Sequence, residues 1–223
     1  MELELGAARA RITGFDDAAA ALALRSRLFR NGVADRDPFD RAARHLVVER
    51  QGKAVACARM RIHRGGTAQS GYTGQFYDLT AFDTAFPTAL EVGRIGLAPD
   101  AQDPDLPRLL LGILARVARQ DAADVLFGCT SFPADGGTVG LGRHVAATPW
   151  RPGCGRGDVI ALPDRPGPIP PLLRLYLALG AVISDHAVRD PDLDTLHVFT
   201  ALPMDTIPPN RARMLTGLLE RAV

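Results

Sequence analysis

The sequence predicts an α/β (α+β) protein in which a mixed central sheet is flanked by helices. Apolar residues alternate with a period of two in some segments and recur every three or four residues in others. The predicted order of strand, helix, two or three strands, helix and strand is typical of a sheet covered by helices. With 223 residues, 47% of them hydrophobic, the chain can bury a full core, so we expect one domain over residues 1–223.

Composition argues against several classes of protein. The chain has 26 basic and 25 acidic residues, a balance that gives no general reason to expect nucleic-acid binding. The cysteines Cys57, Cys129 and Cys154 are widely spaced and odd in number, which argues against a disulfide framework and a Cys-x-x-Cys metal site. An acidic N-terminus and the lack of an apolar run of about 20 residues favour a cytoplasmic protein. Peripheral contact with the inner face of the membrane stays open.

The N-terminal part predicts a strand followed by a helix. Residues 8–14 form the strand, and the helix is expected to begin at residues 15–17, with an aspartate as its cap, and to end near residue 32. Arg25 and Phe29 stand four residues apart and therefore share a face of this helix. A solvated arginine is the default interpretation of Arg25. Its place beside a phenylalanine makes it a site candidate.

A polar turn over residues 35–40 has Asp37 and Asp40 as its candidate acids and leads through a short helical piece to His45. One interpretation is that the acids cap that helix. The other is that they form a carboxylate pair that holds a cationic group. His45 stands at the start of a strand and near the acids, which distinguishes it from the other four histidines.

Two strands, residues 45–50 and 54–62, are joined by a short glycine-containing loop and predict a hairpin. Arg59 falls on the face of the second strand that we expect to be polar. Residues 64–88 then form a long link, and a link of this length is more often a folded lid or binding loop than a spacer. It carries five aromatic side chains, Tyr72, Phe76, Tyr77, Phe82 and Phe86.

The run over residues 90–97, Leu-Glu-Val-Gly-Arg-Ile-Gly-Leu, is a predicted strand that carries Glu91 and Arg94 in apolar surroundings. Strict alternation sends these two side chains to opposite faces, so we expect a bulge that lets both serve one pocket. A charged side chain inside a sheet needs an ion-pair partner or a functional role, because an unpaired charge is costly to bury. An ion pair that braces the sheet and a functional site are both open on this motif alone.

The second half of the chain predicts two further helices and two further strands. Residues 135–170 are rich in glycine, proline and arginine, and we expect them to form an excursion from the core. A last helix is predicted at the C-terminus. The predicted helices cover residues 108–119, 170–177 and 208–223, and the predicted strands cover residues 125–132 and 195–202.

Familiar cofactor and catalytic motifs are absent from the sequence. It has no Gly-x-x-x-x-Gly-Lys loop, no Gly-x-Gly-x-x-Gly after a strand, no His-Glu-x-x-His and no Gly-x-Ser-x-Gly. The histidines are scattered along the chain. The sequence therefore supports neither a metal site nor a bound cofactor.

Several residues nevertheless resemble a known family in order and approximate spacing. The chain resembles the acyl-homoserine-lactone synthases, a branch of the acyltransferases with the N-acetyltransferase fold, and is more similar to the ornithine-lipid family of amino-acid N-acyltransferases. The single residues that match are Arg25, Phe29, Asp37, Asp40, Arg59, Glu91 and Arg94. The collinear blocks that match are Asp40 to Val48, Glu91 to Arg94, Phe127 to Pro133, and Pro171 to Ala181 followed by Asp190-Pro191-Asp192. The resemblance implies an N-acetyltransferase-like fold.

The sequence departs from these relatives at two places. The tryptophan that the lactone synthases carry shortly after the Phe29 position is absent, which puts lactone synthesis in doubt. Residues 97–112 lack the Gln/Arg-x-x-Gly-x-Gly/Ala loop that holds the coenzyme A pyrophosphate at a helix N-terminus. The resemblance implies instead a donor carried on acyl carrier protein, as a co-substrate.

The resemblance also implies the reaction: a fatty acyl group, 3-hydroxylated, passes from the carrier-protein thioester to the α-amino group of an amino acid, with L-ornithine as first choice. This is the first step of ornithine-lipid synthesis. Glu91 is the expected general base, with its pKa raised by partial burial. Arg94 is expected to limit that rise or to bind the substrate carboxylate. Backbone N–H groups around residues 93–95 or near Cys129 are candidates for stabilising the oxyanion.

The remaining site candidates form the substrate-binding set. Asp37 and Asp40 would attract the ammonium groups of the substrate, while Arg25 and Arg59 would order the acidic turn by ion pairing. His45 belongs to the same set. Phe29 and the aromatic residues of the link would line a tunnel for the acyl chain.

Partners and alternatives follow from this reaction. Acyl carrier protein is acidic and should meet local arginines, for which Arg143, Arg151, Arg156 and Arg174 are weak candidates. The helices near residues 170–179 and 208–223 either contact a membrane or simply pack. Other acceptors, such as glutamine or a lactone-forming substrate, and a non-catalytic module that binds carrier protein or lipid are the alternatives.

Overall fold

The computed structural model describes residues 1–101, 103–134, 138–147, 149–165, 167–213 and 217. These residues fall into two compact units. The first consists of Met1–Arg61, Val92–Asp121 and the described part of residues 209–223; the second consists of Ile62–Glu91 and Ala122–Pro208.

Eleven strands and four α-helices are defined among the described residues, together with short 3-10 turns. In chain order they are β1 (Glu2–Leu5), β2 (Ala8–Thr13), α1 (Ala19–Phe29), β3 (Arg44–Arg50), β4 (Lys53–Arg64), β5 (Tyr77–Asp78), α2 (Thr80–Ala85), β6 (Thr88–Leu97), α3 (Leu106–Gln120), β7 (Val125–Pro133), β8 (Gly153–Cys154), β9 (Val159–Ala161), α4 (Pro171–Ala178), β10 (Val182–Asp190) and β11 (Thr195–Pro203).

In the first unit the strand order is β1-β2-β3-β4-β6, and β1 to β4 are antiparallel neighbours. The register places His45 on β3 opposite Arg59 on β4. Small apolar side chains of α1 pack against β3 and β4, with Ala21 and Leu24 against Val47. The predicted strands and helix are confirmed, and β1 was not predicted.

Two local predictions for the first unit are wrong. Helix α1 begins after Ala18, with no side-chain cap, because the two aspartates lie in a separate 3-10 turn over Phe15–Asp17. The stretch over residues 38–43, before β3, forms turns rather than a helix. The Asp37 carboxylate accepts the N–H of Phe39, and this local bond competes with helix formation.

In the second unit the strand order is β6-β7-β11-β10-β9; β6 and β7 are parallel, whereas the other neighbours are antiparallel. β5 and β8 form a separate small sheet. The long link is folded, as predicted, into two 3-10 turns, β5 and α2. Tyr77 and Phe82 from this link are fully buried in a core with Phe199, so they act as packing residues.

In the C-terminal half, the helices α3 and α4 and the strands β7 and β11 agree with the predicted elements. The expected excursion contains β8 and β9, although residues 135–137, 148 and 166 lie outside the described residues. The predicted C-terminal helix also lies largely outside them; residues 209–213 are helical. No helix in the described part of the chain has the length and apolar character needed to cross a membrane.

Candidate active site

Arg25 holds the acidic turn in the first unit. Its side chain is fully buried on α1, and its Nε donates to Asp35 Oδ2 at 2.9 Å while Nη1 donates to Asp40 Oδ1 at 2.7 Å. Arg30, at the end of the same helix, donates to the other oxygen of Asp35 at 3.3 Å. The default interpretation of Arg25 as a solvated side chain is therefore wrong.

Arg59 and Arg94 complete the cluster from the sheet. Arg59 Nη1 lies 2.6 Å from both oxygens of Asp37 and 2.9 Å from Asp40 Oδ1. Arg94 donates from Nε to Asp35 at 3.1 Å and from Nη2 to Asp37 at 3.3 Å. Four arginines thus surround three aspartates, and burial of these charges is tolerated because each carboxylate is ion-paired and hydrogen-bonded.

The arginines keep these carboxylates ionised. Burial alone raises the pKa of Asp40, but hydrogen bonds from Arg25, from the N–H of Asp37 and from Arg59 outweigh it and lower the pKa to about 2. The pKa of Asp35 is also lowered: burial opposes this, and Arg94 and Arg25 cause it. The turn is therefore held by permanent charges near neutral pH.

Arg94 has an unusual backbone. It sits inside β6 with φ of 49°, in the left-handed region that non-glycine residues rarely enter. The strand therefore departs from regular extended backbone at Arg94, the residue whose guanidinium contacts the acidic turn.

The two remaining candidates of the first unit lie near this cluster in different ways. His45 is buried, with Nε2 3.0 Å from the carbonyl oxygen of Asp40, and burial lowers the pKa of its ring. Phe29 is half-buried beside Gly96, where an added Cβ would lie 3.4 Å from Phe29 Cζ but only 2.4 Å from Leu28 Cδ1, so the glycine makes room for Leu28. Neither contact tests the predicted roles in substrate binding.

Glu91 lies in the second unit, on β6, and 8% of its side chain is exposed. Oε1 accepts the N–H of Thr73 at 2.7 Å, and Oε2 accepts the N–H of Tyr72 at 3.2 Å. The Nε2 atom of His63 lies 3.2 Å from the same Oε2. A Cβ added at Gly71 would clash with both carboxylate oxygens, so this turn fits closely around the acid.

The expected rise in the pKa of Glu91 is wrong. Burial does raise it, but the hydrogen bonds from His63 and Thr73 outweigh burial, and the net pKa is lowered. Glu91 is thus a carboxylate that orders the turn over residues 70–73. Its role as general base is a prediction that these contacts do not test.

The sequence analysis missed three residues of these clusters. Asp35 and Arg30 join the arginine cluster; the signal was a third acid in a turn already rich in acids. His63 was missed because the strand was predicted to end at Ile62, whereas β4 continues to Arg64. Among the described residues, no group of three His, Cys, Asp or Glu side chains could hold a metal ion.

Comparison with known proteins shows that this chain is similar to acyltransferases. A family model described as an acetyltransferase (GNAT) domain matches residues 12–112, which contain the arginine cluster and Glu91. L-ornithine N(alpha)-acyltransferase from Brucella abortus is 29% identical over 203 residues, covering 78% of this chain and 71% of that protein. The same enzyme from Agrobacterium fabrum is 24% identical over 221 residues, covering 84% and 73%.

A solved structure agrees with the sequence relatives. FeeM, an N-acyl amino acid synthase from uncultured soil microbes, superposes with a TM-score of 0.56 at 13% identity, covering 96% of this chain and 97% of that one. At this identity the likeness concerns the fold. The predicted N-acetyltransferase-like fold and the resemblance to the ornithine-lipid acyltransferases are confirmed.

Proposed function

We propose that this chain, an N-acyltransferase with the N-acetyltransferase fold, moves a 3-hydroxylated fatty acyl group from acyl carrier protein to the α-amino group of L-ornithine. The product is a lyso-aminolipid. The observation that carries the proposal is the match to two L-ornithine N(alpha)-acyltransferases over most of the chain. Their named activity supports both the acceptor and the position of acylation.

The start of α3 supports a donor other than coenzyme A. In the usual acetyltransferases a helix N-terminus binds the pyrophosphate through backbone N–H groups. Here Pro107, in the first turn, has no N–H to offer, and Asp105 occupies the cap position. A thioester presented by a carrier protein needs no pyrophosphate anchor there.

In the proposed mechanism Glu91 takes a proton from the substrate ammonium, directly or through one water, and frees the amine to attack the thioester. The arginine cluster fixes the acidic turn that carries Asp37, and we propose that this turn faces the ammonium groups of ornithine. For Arg94 the contacts to Asp35 and Asp37 support a positioning role. Binding of the substrate carboxylate by Arg94 stays a prediction.

An acylation assay with the purified protein tests this reaction. The donors are 3-hydroxyacyl carrier protein and 3-hydroxyacyl coenzyme A, and the acceptors are a panel of amino acids. We expect acylation of ornithine, faster with the carrier-protein donor than with coenzyme A. Preference for glutamine or another amino acid would replace the acceptor but keep the chemistry. No acylated product from any amino acid would overturn the proposal.

Glu91→Gln tests the general base in the same assay. Loss of a general base costs about 10²–10⁴-fold in rate, and we expect a loss of kcat in that range. Glu49→Gln is the matched control, because Glu49 also accepts a hydrogen bond from a side chain, that of Arg11, but belongs to no part of the proposed site. A Glu91→Gln enzyme with the wild-type rate would remove Glu91 from the mechanism.

A further inference from the structure

We propose that His63 is the proton-holding partner of Glu91: the proton that Glu91 takes from the substrate ammonium passes to Nε2 of His63, and Glu91 returns to a carboxylate. This inference rests on the proposed function, because it presupposes that Glu91 is the base. His63 acts through Glu91 and is therefore a positioning residue.

The surroundings of the imidazole ring carry the argument. Its Nδ1 lies 3.1 Å from the carbonyl oxygen of Thr67, and its Nε2 lies 3.2 Å from Oε2 of Glu91. Both neighbours accept hydrogen bonds and neither can donate one while Glu91 is ionised. The neutral ring carries one N–H; when this N–H is on Nδ1 and is donated to Thr67, the unprotonated Nε2 faces Glu91 and can take up a proton. The site is therefore complementary to the imidazolium, which carries two.

Glu91 alone is poorly suited to keep a proton. Its two oxygens already accept N–H groups from Thr73 and Tyr72, and protonation would weaken those bonds. Histidine ordinarily changes charge near neutral pH. A base that passes its proton to the ring keeps the carboxylate, and the turn that depends on it, intact.

The step balances as a proton transfer. One N–H bond of the ammonium breaks, the electron pair stays on the nitrogen, and an N–H bond forms at Nε2 of His63. The second proton that the amine loses, when the tetrahedral intermediate collapses, goes to the departing thiolate. His63 returns its proton to solvent through Glu91 after the product leaves.

Several other side chains lie around His63 and Glu91. The ring of His63 lies 5.9 Å from that of Phe127 on β7, an apolar neighbour. Tyr72, whose N–H contacts Glu91, directs its hydroxyl to Asp190 at 2.5 Å. Cys129 on β7 lies 3.8 Å from the hydroxyl of Thr73. Among the described residues, titratable groups near the couple include Tyr72 and Cys129, with Asp190 bonded to the hydroxyl of Tyr72.

His63→Gln tests the inference, because glutamine can still donate to Glu91 but cannot take up a proton. We expect kcat to fall by about 10–100-fold, with the KM for ornithine within threefold of wild type. We also expect the acid limb of the kcat/KM profile to move down by at least one pH unit, since only the carboxylate then titrates. His186→Gln is the matched control: it too is a buried histidine beside a carboxylate, Asp185 at 2.7 Å.

Each outcome decides a different point. A wild-type rate in His63→Gln, or a reduced rate with an unmoved acid limb, overturns the inference while the acyltransferase function stands. A wild-type enzyme that acylates no amino acid defeats the proposed function instead.

A second measurement does not need activity or a folded His63 variant. In protein labelled with ¹⁵N-histidine, the ring signal that responds to Glu91→Gln belongs to the partner of Glu91. We expect its doubly protonated form to persist at least one pH unit higher in wild type than in Glu91→Gln. An equal midpoint in both proteins would overturn the inference.

Discussion

The arginine cluster and the Glu91 turn bury carboxylates in two different ways. In the first unit, Asp35 and Asp40 are held by side chains that stay charged at all accessible pH values. In the second unit, Glu91 is held by two backbone N–H groups and one histidine, a side chain that can change its charge. The first arrangement carries charges that do not change with pH. The second can store and release a proton.

The two regions also differ in what their contribution to stability depends on. A buried ion pair adds little stability relative to apolar packing, but removal of one partner leaves an uncompensated charge. A carboxylate bound by backbone amides depends instead on the shape of the turn that supplies them. The variants below test these dependences, from the largest expected effect to the smallest.

Asp35→Asn should have the largest effect on stability. Asp35 contacts Arg25, Arg30 and Arg94, and its removal leaves buried guanidinium groups short of a counter-charge. We expect the free energy of unfolding to fall by about 3–5 kcal/mol, measured by urea denaturation at pH 7. Asp194→Asn is the control, since Asp194 forms an exposed pair with Arg189 and should cost at most about 1 kcal/mol. Equal losses would show that the cluster is no more than a surface network.

His197→Phe should change the pH dependence of stability. Burial lowers the pKa of His197 from 6.5 to about 4, and its two ring nitrogens have no hydrogen-bond partner among the described residues. Between pH 6.5 and 4, the unfolded chain therefore binds a proton at His197 that the folded chain does not bind. The free energy of unfolding falls as the pH drops through this range. Two and a half pKa units correspond to roughly 3 kcal/mol.

Denaturation of wild type and His197→Phe at pH 7, 5.5 and 4.5 measures this contribution. The ring of His197 already packs edge-on against Phe76 at 4.6 Å, so an aromatic replacement fits its surroundings. We expect similar stability at pH 7 and a growing advantage of the variant as the pH falls. Parallel curves for the two proteins would mean that His197 is protonated as easily folded as unfolded.

Gly71→Ala should have a smaller effect, confined to the Glu91 turn. An added Cβ meets the Glu91 carboxylate, so either the acid or the turn must move. We expect about 1–3 kcal/mol of lost stability together with a reduced acylation rate. Gly14→Ala is the matched control, because nothing lies within 4 Å of its Cβ position. If Gly71→Ala keeps full activity, the exact placement of Glu91 does not matter for the reaction.

The sequence predicted the parts of this molecule that depend on local pattern. Strand-like segments around a short turn predicted β3 and β4, a continuous apolar run predicted β7, and the three-to-four spacing of apolar residues predicted α1 and α3. Five residues of the cluster could be named in advance because the family resemblance carried them, whereas Asp35 and Arg30 were missed; the five are Arg25, Asp37, Asp40, Arg59 and Arg94. The cap of α1 was missed, since an aspartate in a 3-10 turn and one at a helix cap have the same local sequence.

What the sequence determined by itself is therefore the order of the elements, the fold class and the residue types available for acyl transfer. Tertiary structure alone decided how each charge is held. It brought Asp35 to three arginines and placed His63 beside Glu91, 28 residues away in the chain. The reason is physical: backbone preferences act over a few neighbours, whereas the pKa of a buried acid is set by whichever groups the folded chain packs around it.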